Sequence, residues 1–259
     1  MPVLIVLIQT ASCVGFGLLT LKLFKLKNDQ RPGETYLIGF ALGFGILGWL
    51  LFPLGVAGKL ESGWLIGLLA AGIGCLFFAK PPLMKLPHLN PAGLGLFAIV
   101  IVLAAMDLLE GLSPPGDADT LAYHFTAPSQ FLRAGQIEFI LRPLDGSIPY
   151  IVQMTYMPVL ALGGEKALTL WVMVSGWAPV ALLYALCRRH LNEIWSLAVA
   201  LVFMSTPVVV YAAGTGQVEM RAAMFVLVAV WAASGSLSSN RLSYTIIAGL
   251  AVGFYAGAK

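Results

Sequence analysis

Apolar stretches of about 20 residues recur along the whole chain, each long enough to cross a hydrocarbon layer roughly 30 Å thick as a helix. They predict helices near 2–24, 36–58, 62–79, 91–110, 166–187, 194–213, 219–235 and 242–258, eight spans in all. Runs such as Leu4 to Ile8 and Ala222 to Ala233 do not alternate, which excludes a transmembrane barrel. Between the fourth and fifth spans lies a long polar segment, 111–165, too long for an idle connection. Two of its pieces read as helices lying at the membrane interface. The first, Asp119 to Ala134, puts Leu121, Phe125 and Leu132 on one face, with Pro128 as a kink and Gly135 as a stop. The second, Ile148 to Leu162, carries Tyr150, Met154 and Met157 beside Tyr156, amphipathic material suited to the headgroup boundary. The expected fold is an all-α, polytopic transmembrane bundle with interfacial helices in one long outer loop.

Composition supports that reading. Of 259 residues 59% are hydrophobic and only 10% charged, against about a quarter charged in soluble domains. The net charge of +3 is too small and too dispersed for nucleic-acid binding. What matters is where the charges fall. Lys22, Lys25, Lys27 and Arg31 flank the first loop, Lys80 and Lys85 the third, Arg188 and Arg189 the fifth and Arg241 the seventh, which puts every basic loop on one side. With that side cytoplasmic, the N-terminus lies outside, and so do the loops around Glu61, 111–165 and Thr215–Gln217. The first apolar stretch lacks a basic leader and a small-residue cleavage site, so it reads as a retained span. Cys13, Cys75 and Cys187 sit in apolar stretches without paired spacing, which indicates neither a disulfide framework nor a zinc site.

Seven of the twelve acids fall between 107 and 165: Asp107, Glu110, Asp117, Asp119, Glu138, Asp145 and Glu165. Asp117-Ala118-Asp119-Thr120-Leu121-Ala122-Tyr123-His124 sets two carboxylates, a phenol and an imidazole beside a Pro-Pro-Gly turn. One reading is helix capping, because an Asp before a helix accepts bonds from free backbone amides. The other is a general base, Asp119 first and Asp117 second, with a carboxyl raised by shielding from water and by its acidic neighbour. Asp117, Asp119 and His124 are also candidate ligands for a divalent cation, although their spacing matches no specific metal loop. Arg133, Arg142, Lys166 and Arg221 are cations near the outer surface that could hold a phosphate, or serve as interfacial anchors. Glu219 and Arg221 open the seventh span at a depth where ionisable groups are costly; they read as an intrahelical pair or with Glu219 as a second acid facing the loop. His88 and His190 lie with the basic residues of the inner side. Gly43-Phe44-Gly45-Ile46-Leu47-Gly48 matches a dinucleotide fingerprint in letters only, since it lies within a span. Gly39-x-x-x-Gly43 and Gly63-x-x-x-Gly67 fit close helix packing in lipid.

The run Asp119-Thr120-Leu121-Ala122-Tyr123-His124, followed by Pro128, Phe131-Leu132 and Gly135, resembles bacterial GT-C glycosyltransferases related to the dolichyl-phosphate-mannose protein mannosyltransferases. Pro149, Gln153, Thr206-Pro207, Glu219, Gly249, Gly253 and Lys259 extend the resemblance over roughly 95–259. The resemblance implies three extra N-terminal helices in 1–90 and a GT-C-like core in 91–259 whose loop 111–165 is catalytic. It further implies a bacterial inner-membrane enzyme that inverts a sugar drawn from a polyprenyl-phosphate carrier on the extracytoplasmic side. Asp119 takes the role of base, with Tyr123, His124, Arg133, Arg142, Lys166, Glu219 and Arg221 toward the substrate. Its partners are the lipid-linked donor and membrane lipids; sugar and acceptor stay open. The loop has Asp-Ala-Asp where the protein mannosyltransferases have Asp-Glu. Similar enzymes continue past the position of Lys259, so a C-terminal remainder is expected. The rival readings are a transporter or flippase-like protein, with Glu219 and Arg221 lining a path, and a non-catalytic membrane scaffold.

Overall fold

The computed structural model describes residues 1–26, 31–80, 83, 89–141 and 149–258, with the backbone alone at Glu110. Among these the chain is helical throughout, with no strand: α1 (Pro2–Leu23), α2 (Pro32–Val56), α3 (Ser62–Ala79), α4 (Pro91–Gly111), a π-helical turn (Thr120–His124), α5 (Thr126–Ala134), α6 (Ile151–Met154), α7 (Tyr156–Gly163), α8 (Glu165–Cys187), α9 (Glu193–Met204), α10 (Pro207–Gly214), α11 (Glu219–Ser239) and α12 (Leu242–Ala256). Six of these, α1, α2, α3, α4, α8 and α11, are long and apolar enough to cross a membrane. The expected sixth span, 194–213, is instead two helices, α9 and α10, bent by 75°. Pro207 is the cause: it sits at the start of α10, and Thr206 before it is extended, φ −69° and ψ 123°, as a residue preceding proline prefers. The expected eighth span is the 15-residue α12.

Local chemistry sets several ends. Prolines occupy the first turns of α1, α2 and α10, where no partner is lost with the missing N–H. The Asn192 side chain caps α9 by accepting from the Trp195 amide at 3.0 Å. Gly135 ends α5 at φ +72°.

Between apolar helices in lipid there is no hydrophobic drive to associate, so close packing must supply the attraction. At α1 and α2 it is backbone on backbone. A Cβ on Gly43 would stand 1.7 Å from the Cys13 carbonyl oxygen, and one on Gly17 1.7 Å from that of Gly39. Gly15 and Gly72 bring α1 equally close to α3. The motif Gly63-x-x-x-Gly67 is not used this way: a Cβ at either position meets nothing within 4 Å. Gly43 to Gly48 lie inside α2, so the glycine run forms no phosphate-binding turn. Phe44 stacks on Trp171 of α8 at 5.6 Å and meets Phe225 of α11 edge-on, which makes α2 the central pillar. Cys13 is buried within the bundle and Cys75 and Cys187 are half-buried; all three are free thiols.

The loops sort by charge onto the two ends. At one end Lys22 donates to the Phe78 carbonyl, Arg31 to that of Arg188, and Arg241 to that of Lys25, while Arg189 pairs with the buried Glu34. At the other end Leu60 and Gly135 are bonded through backbone, as are Ile137 and Gly55, and Ile151 and Gly257. Lys27, Lys85, His88, Arg142 and Lys259 lie outside the described residues.

The second loop helix departs from expectation. It is two short helices, α6 and α7, and Tyr150, Met154, Tyr156 and Met157 are buried rather than turned to a headgroup boundary. They form a wedge among α1, α2 and α8, where Gln9 of α1 donates to the Thr155 carbonyl and the Trp171 indole to the Thr155 hydroxyl. The first loop helix breaks at Phe125, between the π-helical turn and α5. Pro128 has no N–H for the His124 carbonyl four residues back, and the wide turn falls at that place. Its inward face is Ala127, Pro128 and Phe131, whereas Leu121 is exposed.

Candidate functional site

The end of the bundle opposite the basic loops carries a trough in two lobes. Pro114, Pro115, Phe125 and Thr169 line both. The inner lobe, about 440 Å³, adds Ser113, Asp117, Thr120, Tyr211 and Thr215. The outer lobe, about 380 Å³, adds Leu121, Gln130, Arg133 and Glu165.

Asp117 is the organising residue of the inner lobe. Its carboxylate accepts from the Thr120 amide at 2.8 Å and the Thr120 hydroxyl at 2.6 Å, which caps the π-helical turn, and from the Tyr211 hydroxyl of α10. The Gln217 side chain lies beside it as well. Partial burial pushes this carboxyl up, but the donors from Thr120, Tyr211 and Gln217 outweigh burial and hold it below its ordinary value. A base raised by shielding is therefore not what Asp117 provides; it is a held carboxylate. The Thr120 hydroxyl also accepts from the Gly216 amide at 2.9 Å, and the Gly216 carbonyl accepts from the Tyr156 hydroxyl at 3.0 Å. One chain of bonds thus joins the loop after α4, the turn before α11 and the wedge.

Asp119 has a different setting. It is exposed, between Ala118 and Thr120, which both line the inner lobe. Tyr123 and His124 line neither lobe, and His124 turns toward the wedge. His124 is buried, its Nδ1 is 2.8 Å from the Gln153 amide nitrogen, and its ring lies 4.0 Å from that of Tyr123. Asp117, Asp119 and His124 thus do not converge as a ligand set, and among the described residues no three His, Cys, Asp or Glu side chains gather around a common point.

The cations separate too. Arg133 lines the outer lobe beside Glu165, while Lys166 is exposed and lines neither lobe. Arg142 lies outside the described residues. Arg221 is wholly buried and does not face a substrate. Its guanidinium donates to the carbonyls of Ala212, Ala213, Thr215 and Gln217, to Val172 of α8, and to the Ser175 hydroxyl. Those carbonyls close α10 and the turn after it, where an α-helix leaves its last acceptors without partners. Arg221 is a structural clamp on the broken helix. Glu219 is exposed and lines a separate groove with Tyr255, which shares no residue with the trough.

Three participants escape a reading of sequence. Tyr211 and Gln217 reach Asp117 across nearly a hundred residues, and no local pattern marks them. Asp107 is buried in α4, accepts from the Trp177 indole, and its Oδ1 would stand 2.8 Å from a Cβ on Gly214. The available signal was an acid inside an apolar span. Compared with known proteins, the chain matches no family model, no curated protein and no solved structure.

Proposed function

We propose that the chain is a multi-pass bacterial inner-membrane glycosyltransferase of GT-C type. It takes its sugar from a polyprenyl-phosphate carrier and works at the extracytoplasmic end of the bundle, with the N-terminus outside and eight crossings that count α9 with α10 and α12 as spans. The observation that carries this reading is the contrast between the two acids. Asp117 lines the trough and is held by its donors, whereas Asp119, two residues on, is exposed and lines neither lobe itself, standing between Ala118 and Thr120 at the edge of a trough lined with hydroxyls. A carboxylate in that position can accept the proton of an acceptor hydroxyl as it attacks the sugar. The phosphate-bearing carrier is a good leaving group, so a cation that steadies it suffices on the other side, and Arg133 in the adjoining lobe has the fork of donors for that task. The trough lies opposite the basic loops, the side on which a positive-inside arrangement places it outside the cell.

The sharp break between α9 and α10 favours a second reading, a transporter, because interrupted helices with capped ends near the membrane midplane are a transporter device. Purified protein in vesicles, given a polyprenyl-phosphate-linked sugar and candidate acceptors, separates the two. Release of polyprenyl phosphate coupled to sugar transfer, lost in Asp119→Asn, supports the enzyme. Movement of solute across the vesicle without release of the carrier supports the transporter.

A further inference from the structure

Away from the trough, α4, α8 and α9 enclose a groove of about 410 Å³ lined by residues such as Phe97, Val100, Val180, Ala200 and Met204. We propose that it holds one acyl chain of an anionic glycerophospholipid from the leaflet on the basic side.

Four observations lead there. First, the walls offer no polar group to a ligand. The two polar side chains among them face protein: the Trp177 indole donates to Asp107, and the Tyr184 hydroxyl lies against Glu193 and Arg188. An occupant must therefore be hydrocarbon along its length. Second, the groove is open to lipid, since Phe97 is 43% exposed and Leu94, Ile101 and Val102 on the same helix are more so. Third, its inner end lies about one leaflet from the basic end. On α8 it runs from Tyr184, three residues inside the basic end, to Trp177, ten residues inside, or about 5 to 15 Å at 1.5 Å per residue, and about 15 Å is half of the hydrocarbon core. The Trp177–Asp107 pair closes the inner end. Fourth, the charges at the two ends differ. Leu89 and Tyr184 mark the mouth, where Arg188 and Glu193 both lie against Tyr184 and Arg31 donates to the Arg188 carbonyl, leaving a net positive charge, while at the closed end the acid Asp107 lies within reach of the Arg221 charge. A phosphate belongs at the mouth, as basic pockets between helices on that side receive anionic headgroups. The same geometry argues against the sugar carrier, whose phosphate must reach the trough at the opposite end.

The test uses the whole protein in liposomes containing phosphatidylglycerol with a photoreactive group midway along one acyl chain. Cross-linked peptides are then mapped by mass spectrometry. Labelling concentrated on Val180, Ala200 and Met204, displaced by excess unlabelled phosphatidylglycerol, is the expected result. In Arg188→Gln the labelling falls about fivefold for this lipid and is unchanged for a phosphatidylcholine probe. Labels spread evenly over Leu94, Ile101 and the other exposed faces overturn the site. Equal labelling by both lipids in wild type overturns the headgroup assignment. Displacement by a polyprenyl phosphate but not by phosphatidylglycerol overturns the choice of ligand. The wild-type map carries the test even where a groove-filling variant such as Ala200→Phe does not fold.

Discussion

The Tyr211 hydroxyl donates to the Asp117 carboxylate across 94 residues of sequence and so fastens the broken helix to the loop after α4. That bond fixes the position of α10, the floor of the trough and the charge of Asp117 together, and it gives the first of the expected outcomes.

The Asp117 carboxyl lies below its ordinary value of 3.8 in the folded protein. A depressed carboxyl stabilises the fold above the unfolded-state value, and that contribution is lost as pH falls through the folded one. In Tyr211→Phe a donor is gone and the carboxyl moves back up. Thermal midpoints of wild type and variant should differ most near neutral pH and converge as pH falls below 3.8 and through the lower value of the folded protein. A gap of constant size would show that Tyr211 acts through packing alone.

Neutralising the two acids should have unequal effects. Asp119→Asn lowers sugar transfer by about 100-fold or more, the range of a lost general base, with little change in thermal midpoint. Asp117→Asn lowers the midpoint and affects transfer through the shape of the trough. Equal loss of activity and unchanged stability in both would remove the division of labour between them.

Arg221→Leu leaves the carbonyls of Ala212, Ala213, Thr215 and Gln217 without their shared donor. Bonds to a charged group contribute about 1.5–3 kcal/mol each, so destabilisation of at least about 3 kcal/mol is expected. Arg221→Lys should restore only part of it, since an ammonium cannot span the same fork of acceptors. Unfolding followed by heat or denaturant in detergent measures both.

Glycines of identical spacing should behave oppositely. Gly43→Val drives a side chain into the Cys13 carbonyl and should cost about 1–3 kcal/mol or more. Gly63→Ala meets open space and should be neutral or gain up to about 1 kcal/mol through helix propensity. Matching losses at both sites would contradict the packing of α1 on α2.

Sidedness is the remaining expectation. With Cys13, Cys75 and Cys187 replaced, Ser129→Cys in α5 should react with an impermeant thiol reagent on intact cells, and His190→Cys at the basic end only after the membrane is opened. The reverse pattern would put the trough in the cytosol and sink the lipid-carrier mechanism.

The long helices could be read from hydropathy because a span needs only length and apolar character, and α1 and α3 lie close to their expected limits. Periodicity cannot say whether an apolar face meets lipid, water's edge or protein. Tyr150, Met154 and Met157 look amphipathic in sequence, yet their partners come from α1, α2 and α8. Asp117 as a helix cap was legible, being a three-residue relationship. Its donor Tyr211 was not, and neither was the role of Arg221, because the carbonyls that hold it depend on where α8 and α10 come to rest. Pro207 did carry a signal for the break between α9 and α10, and an apolar window averages over it.

The clamp formed by Arg221 also has an order in time. Every group that accepts its donors, Val172, Ser175, Ala212, Ala213, Thr215 and Gln217, precedes it in the chain and has already been synthesised when the guanidinium emerges. The aromatic face of α2 lacks that advantage. Phe44 awaits Trp171 for roughly 130 residues, on the order of ten seconds at ribosomal speeds, but an aromatic ring can wait in lipid without penalty. During biosynthesis, then, the side chain that could not tolerate a delay in the bilayer is the one whose partners are ready first.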